Sequence, residues 1–227
     1  MFELEYWQRK AATVRFPDLA VIDGQRRPAQ SGRTFASINP ANGQCLANVA
    51  ACGEEDVNVA VRNARQVFEA GTWSARSPSE RKQVLLRLAD LILENREELA
   101  LLDSLNMGKP VTDAYNIDVP GAAGVFRWYA ESLDKLYDQI APSAQNVLAT
   151  ITREALGVVA AVVPWNFPLD MAAWKLAPAL AAGNSVILKH AAQTLLVGER
   201  FAKAFEMAGL PKDLFQNLVM SHGQTEK

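Results

Sequence analysis

Two polar side chains stand where strand-like runs end, and they are the residues of this sequence best placed to do chemistry. Asn166 follows the apolar run ALGVVAAVVP, and Lys189 closes the run SVILK. Between them lies a segment with helical character, about 169–182, ending at Gly183-Asn184. Strand, helix and strand in so short a span make a βαβ unit with a right-handed crossover, so both strands point the same way. Parallel neighbours bring their carboxyl ends to one edge of the sheet, and ligands of open α/β folds bind just beyond that edge. Asn166 and Lys189 are therefore expected on one rim. An amide donor and an ammonium donor there suit an anionic or hydroxyl-rich ligand. Spacing alone favours a structural role, with Asn166 capping the helix that follows and Lys189 a solvated strand end, because polar residues at strand ends are common. Cys45 and Cys52, the only cysteines, lie in a stretch of turn residues with no CxxC pair and no zinc ligand beside them. Neither is marked as a nucleophile, and no metal site is expected.

The elements that position this rim are legible in outline. The small and β-branched residues of ALGVVAAVV predict a strand covered on both faces. Asp23-Gly24 and Asn42-Gly43 are hairpin signals and predict a small antiparallel element near the N-terminus. A helix is expected from about Glu54, where acids suit its start, to Gly71. Ser77-Pro78-Ser79-Glu80 opens another with a capping box, and Asn95 allows a turn before EELALLDSLNMG. A further helix spans roughly 118–137, with Phe126, Trp128, Tyr129 and Tyr137 expected to pack as core, or else to wall a binding tunnel. Residues 137–154 alternate with a two-residue period and read as a ribbon that pairs with something outside itself. The divisions expected are 1–136, 137–154 and 155–227.

Composition narrows the functional classes. The 227 residues are 49% hydrophobic, enough for a real core, and 23 Lys and Arg against 25 Asp and Glu leave no net field to hold a polyanion. Nucleic acid is not an expected partner. The longest apolar stretch is about half of a bilayer span, and the N-terminus has no apolar run before a small-residue cleavage site. No membrane partner is expected, and a cytoplasmic setting is.

At the rim residues the sequence resembles the aldehyde dehydrogenase superfamily. The string VVPWNFPLDMAAWKLAPALAAGNSVILK (162–189) is similar over its whole length to that family's signature region. Asn39-Pro40, SPSERKQVLLRLADLI, NMGKP (106–110) and RWYAE (127–131) precede it in the right order, and the likeness covers 22–218. The start YWQRKA and the stretch DVPGAAGVFRWYAESLDKLY are closest to the branch acting on gamma-glutamylaminobutyraldehyde and related amine-derived aldehydes. The resemblance implies an α/β fold in which an incomplete Rossmann-like parallel sheet carries N-terminal helices and a protruding β ribbon for oligomerisation, the ribbon being 137–154. It implies an NAD- or NADP-dependent oxidation of a small aldehyde to its acid, through attack by a cysteine thiolate and hydrolysis by water that a glutamate activates. Asn166 matches the oxyanion donor. Val163, Pro164 and Trp165 match backbone lining the cofactor, and Lys189 matches the lysine that bonds the adenosine ribose.

The resemblance also marks departures. After Lys189 the family usually has Pro-Ser-Glu or Pro-Ala-Glu, and here stand His190-Ala191-Ala192. Ala192 thus replaces the glutamate that accepts from the ribose hydroxyls, which leaves NADP open beside NAD. His190 is expected as a surface histidine, with a phosphate contact the alternative. VMSHGQTEK stands for the usual Val-Thr-Gly-x-Gly turn, with Ser221 at the first glycine. The family's Gly-Gln-x-Cys nucleophile segment and glutamate base are not among the 227 residues, so the chain is expected to be inactive alone. The competing readings are a non-catalytic interaction module, associating with itself or with a full-length relative, and a plain nucleotide-binding α/β module.

Overall fold

The computed structural model describes residues 3–221 and 223. In chain order the elements are α1 (Leu4–Thr13), β1 (Ala20–Ile22), β2 (Gln25–Arg27), β3 (Thr34–Ile38), β4 (Cys45–Ala50), α2 (Glu54–Glu69), α3 (Pro78–Glu94) and α4 (Arg96–Met107). A short α5 (Val111–Asp113) runs through a single π turn (Ala114–Asp118) into α6 (Val119–Ser132). Then come β5 (Gln139–Ala141), β6 (Ala149–Ile151), β7 (Val158–Val162), α7 (Pro168–Ala181), β8 (Ser185–Lys189), α8 (Val197–Ala208) and β9 (Phe215–Leu218).

The main sheet has five strands in the order β2-β1-β9-β8-β7. β7 and β8 pair in parallel, Val158 opposite Ser185 and Val162 opposite Lys189, and β8 pairs in parallel with β9. The βαβ unit is therefore present with the register its sequence implies. Asn184 fixes that register: its Oδ1 accepts from Gly157 N at 2.9 Å, and its Nδ2 donates to Ala179 O at 3.0 Å. Turn and strand start are thus tied by one buried side chain.

Two features go beyond the sequence reading. The stretch after Lys189 adds α8 and a third parallel strand, β9. The N-terminal hairpin is also no separate element, because β1 pairs antiparallel with β9 through Val21 and Asn217 and makes the sheet mixed. Its turn has Asp23 at φ 60° and Gly24 at φ 61°, and a Cβ on Gly24 would lie 2.6 Å from Asp213 Oδ1. Glycine there meets both the left-handed backbone and the close approach.

α7 and α8 cover one face of the sheet, with α3, α4 and α6 packed beyond them, while α2 lies across β1, β9, β8 and β7 on the other face. Phe126 of α6, Phe201 and Phe205 of α8, and Phe215 of β9 stack through these layers at centroid distances of 4.8 to 6.1 Å. α3 begins with the expected capping box: Ser77 N donates to Glu80 Oε2 at 2.9 Å, and Glu80 N to Ser77 Oγ at 3.3 Å.

α6 ends earlier than expected, at Ser132, whose hydroxyl donates back to Trp128 O at 2.8 Å. That competing bond and the turn after it leave Tyr137 outside the helix and 78% exposed. Of the aromatics expected as core, Phe126 alone is fully buried; Trp128 is exposed and Tyr129 partly buried. β5 and β6 pair antiparallel with each other, Gln139 opposite Ile151, so 137–154 contains a hairpin. Its apolar side chains Ile140, Leu148 and Ile151 stay exposed. Among the described residues no helix is long and apolar enough to cross a membrane.

Candidate active-site edge

The carboxyl ends of β7 and β8 form the expected rim. Val163 is buried and its N donates to Lys189 O at 3.1 Å, which extends the parallel pairing one step beyond the strands. Pro164 and Trp165 then turn outward and are exposed, and Asn166 lies exposed on the bend before α7. The N-cap of α7 is Phe167, with no side-chain cap bond, and the Asn166 amide has no hydrogen-bond partner among the described residues. The capping role that spacing allowed is not the one it plays.

Phe167 is held from above by Lys109, whose Nζ sits 3.8 Å from the ring centroid while pairing with the Asp118 carboxylate. The NMGKP loop thereby steadies the bend that presents Asn166. Lys189 is 9% exposed, and its ammonium makes no ion pair or hydrogen bond among the described residues. Burial holds its pKa below the ordinary lysine value. An unpaired, partly desolvated cation is costly unless something anionic or hydroxyl-bearing meets it.

Beside this edge lies a cleft of about 520 Å³, with Trp165 on one side, Ala192 and Gln193 on another, and Phe35, Asn106 and Met107 closing it. Asn106 is its anchor. The amide Nδ2 donates to Ser37 Oγ at 3.1 Å and to Gln193 O at 2.8 Å, and Oδ1 accepts from Leu196 N at 3.0 Å. One buried side chain thus joins β3, α4 and the loop after β8.

His190 corrects the sequence reading. It is 2% exposed, neither ring nitrogen has a hydrogen-bond partner, and burial with the neighbouring Lys189 charge pushes its pKa down to about 3. The chain turns directly after it, Thr194 N donating to Ala191 O at 3.0 Å. A neutral, enclosed imidazole offers no charge to a phosphate. Cys45 is exposed at the start of β4, and Cys52 is buried with its thiol pushed up to about 11. Of the altered C-terminal turn, the part after Ser221 lies outside the described residues except Gly223.

Sequence reasoning missed a second cluster, one helix away. Between α6 and α7 lies a pocket of about 470 Å³ lined by Gly121, Gly124, Val125, Trp128, Tyr129, Asp170 and Trp174. Asp170 Oδ1 is buried with no hydrogen-bond partner among the described residues, and burial followed by the Asp118 charge raises the Asp170 pKa to about 6. The spacing of Asp170 and Trp174 was a readable signal, because positions four apart share one face of a helix.

Asp103 on α4 is fully buried, and neither carboxylate oxygen has a hydrogen-bond partner among the described residues. Burial first, and then Asp118, raise its pKa to about 8, against the opposing charge of Lys109. The folded chain therefore holds a proton that the unfolded chain releases near pH 4. Stability from that proton is full below about pH 4 and is lost as pH rises through about 8. Asp103→Asn, neutral throughout, is expected to gain on the wild type across this window, by on the order of 2 kcal/mol at about pH 8.5. Denaturant midpoints near pH 5 and pH 8.5 check this, and parallel pH profiles for the two chains would remove it.

Comparison with known proteins agrees with this geometry. Residues 27–227 match the profile described as "Aldehyde dehydrogenase family". The chain is 50% identical over 214 residues to aminoacetaldehyde dehydrogenase of Pseudomonas aeruginosa, covering 94% of this chain and 43% of that protein. It is 46% identical over 220 residues to the NADP/NAD-dependent aldehyde dehydrogenase PuuC of Escherichia coli, covering 97% of this chain and 44% of that protein. Among solved structures, an indole-3-acetaldehyde dehydrogenase complexed with NAD+ superposes with a TM-score of 0.98 at 42% identity, over 100% of this chain and 46% of that one. The chain spans less than half the length of these relatives, and the part it matches in the curated ones is N-terminal.

Proposed function

The chain belongs to the aldehyde dehydrogenase family, and from that premise we propose that it supplies the N-terminal portion of an NAD(P)-dependent enzyme oxidising a small aldehyde to its carboxylic acid. The observation that carries this reading is the shared carboxyl edge of β7 and β8, where the Asn166 amide and the Lys189 ammonium both stand without partners among the described residues. In this reading 1–136 and 155–227 build the nucleotide-binding part, and 137–154 is the oligomerisation ribbon. The residues present suit a dinucleotide: Lys189 would bond the adenosine ribose, and the backbone of Val163, Pro164 and Trp165 would line the cofactor. The nicotinamide, when bound, supplies the hydride acceptor. Asn166 donates its amide hydrogen to the aldehyde oxygen as negative charge gathers there, and its unpaired state leaves it free to do so. Ala192 presents a methyl group where a ribose-binding carboxylate would repel a 2′-phosphate, which favours use of both NAD and NADP.

The exposed Ile140, Leu148 and Ile151 of the β5–β6 hairpin support a homo-oligomer. They also favour a second reading, a non-catalytic module that associates with itself or with a full-length relative. Both cysteines are free thiols, in keeping with a reducing cytoplasm. Neither serves as nucleophile, since the Cys52 thiol is buried and protonated and Cys45 lies on the β3–β4 hairpin rather than at the rim. The purified 227-residue chain is therefore expected to form no reduced cofactor from NAD+ or NADP+ with any aldehyde, read at the reduced-nicotinamide absorbance. Aldehyde-dependent reduction that disappears in Cys45→Ser or Cys52→Ser would overturn that assignment.

A further inference from the structure

The Lys109 ammonium sits over the ring next to Asn166 in the chain, and the pair it makes with Asp118 is almost wholly enclosed. We infer that Lys109 and Asp118 are positioning residues: by clamping the Phe167 ring, their ion pair fixes the bend that holds the Asn166 amide where the aldehyde oxygen gains charge. The inference rests on the functional reading above and deepens it by assigning residues that act through Asn166 alone.

Each member of the clamp is held by its own segment. Gly108, the C-cap of α4 at φ 83°, turns the chain, and Ser104 Oγ donates to Lys109 O at 2.7 Å, so the lysine leaves α4 in a fixed direction. Asp118 closes the π turn, whose backbone Arg96 secures: its Nε donates to Tyr115 O at 2.6 Å, and its guanidinium lies 3.8 Å from the Tyr115 ring centroid. Phe167 is the N-cap of α7, and its carbonyl accepts from Met171 N at 2.8 Å. Ammonium, carboxylate and ring therefore meet from three separate segments, with Lys109 Nζ 3.8 Å from the ring centroid. Asn166 is one peptide bond from that ring, and its own side chain makes no hydrogen bond among the described residues. The ring is thus the nearest hold on the amide.

Stability alone does not account for the arrangement. The Lys109 and Asp118 side chains are 12% and 2% exposed, and desolvating two charges offsets most of what their attraction returns. Apolar residues of the same volume would serve a core equally well. The surroundings are acidic besides: the Lys109 charge opposes the burial and the Asp118 charge that raise the Asp103 and Asp170 pKa values. What an ion pair over a ring face adds is direction, a single seat for the ring rather than a general attraction. Displacing a reacting group by about 1 Å costs on the order of 10²-fold in rate, so such a seat matters to an oxyanion donor.

Two measurements test this. In the 227-residue chain labelled with ¹⁵N, the order parameter of the Asn166 backbone amide is expected near about 0.85, to fall below about 0.6 in Lys109→Met/Asp118→Asn, and to return in Lys109→Arg. The double variant removes both charges together, so neither is left buried and unpaired, and circular dichroism checks that it is folded. The second measurement joins this chain to the remainder of the Pseudomonas aeruginosa aminoacetaldehyde dehydrogenase and follows NAD+ reduction with aminoacetaldehyde, the aldehyde in that enzyme's name. There the double variant is expected to lower kcat about 10- to 10²-fold with KM little changed, but less than about twofold in an Asn166→Ala background, because the pair acts through that amide. An Asn166 order parameter that does not move, or the same loss of kcat in both backgrounds, would overturn the inference. Turnover that survives Asn166→Ala alone would instead remove the functional reading, and the order parameter would still decide the role of Lys109 and Asp118.

Discussion

Trp73→Ala is expected to destabilise the chain by about 3–5 kcal/mol, a large part of the stability of a domain this size. Trp73 lies in the turn between α2 and α3 and is fully buried, with the Arg76 guanidinium 5.4 Å from its ring centroid. Its Nε1 donates to Leu180 O at 2.8 Å. The side chain thus fastens one face of the sheet to the C-terminal turn of α7, the helix whose other end presents Asn166. Truncation removes the largest buried side chain of that junction and opens a cavity that helix and sheet can close only by shifting. Trp73→Phe keeps most of the apolar contact and loses the hydrogen bond, so its cost is expected nearer 1 kcal/mol. Urea unfolding midpoints separate the two, and equal, small effects would show that the indole does not hold this junction.

The local grammar of the sequence was read well where one residue type answers one backbone need. Ser77 and Glu80 form the capping box, Asp23-Gly24 makes the hairpin turn, and SVILK is the strand β8. The rim was legible for the same reason, since parallel strands leave their ends no other place to go. What escaped depends on partners distant in the chain. β1 joins the main sheet only because β9, nearly two hundred positions later, offers it an edge. His190 looked like a surface residue because it stands just past a strand end and before the turn Ala191-Ala192-Gln193-Thr194, a sequence that carries no signal of burial, whereas it is 2% exposed.

The hairpin 137–154 shows a related limit: alternation predicts a strand but not which strand it meets, and here β5 and β6 meet each other. The acidic pocket escaped because its members come from α4, the π turn, α6 and α7. Only Asp170 carried a readable cue, its four-residue spacing from Trp174 on α7. Asp103 lies within an apolar helical stripe, where an acid reads as a solvated position until the packing shows it enclosed.

The role of Asn166 has the other large expected effect. An amide that is unpaired in the free chain and donates to the aldehyde oxygen as it gains charge acts mainly in the transition state, so its loss lowers turnover far more than substrate binding. The measurement uses a chimera in which this chain replaces the matched N-terminal segment of the Pseudomonas aeruginosa aminoacetaldehyde dehydrogenase, which is 50% identical over 214 residues. The chimera is expected to reduce NAD+ or NADP+ with an aldehyde, and Asn166→Ala within it to lower kcat by about 10²–10³, or 2.7–4 kcal/mol, with KM little changed. A folded chimera that turns over equally well with and without the Asn166 amide would contradict the assignment of this edge as the site of the chemistry.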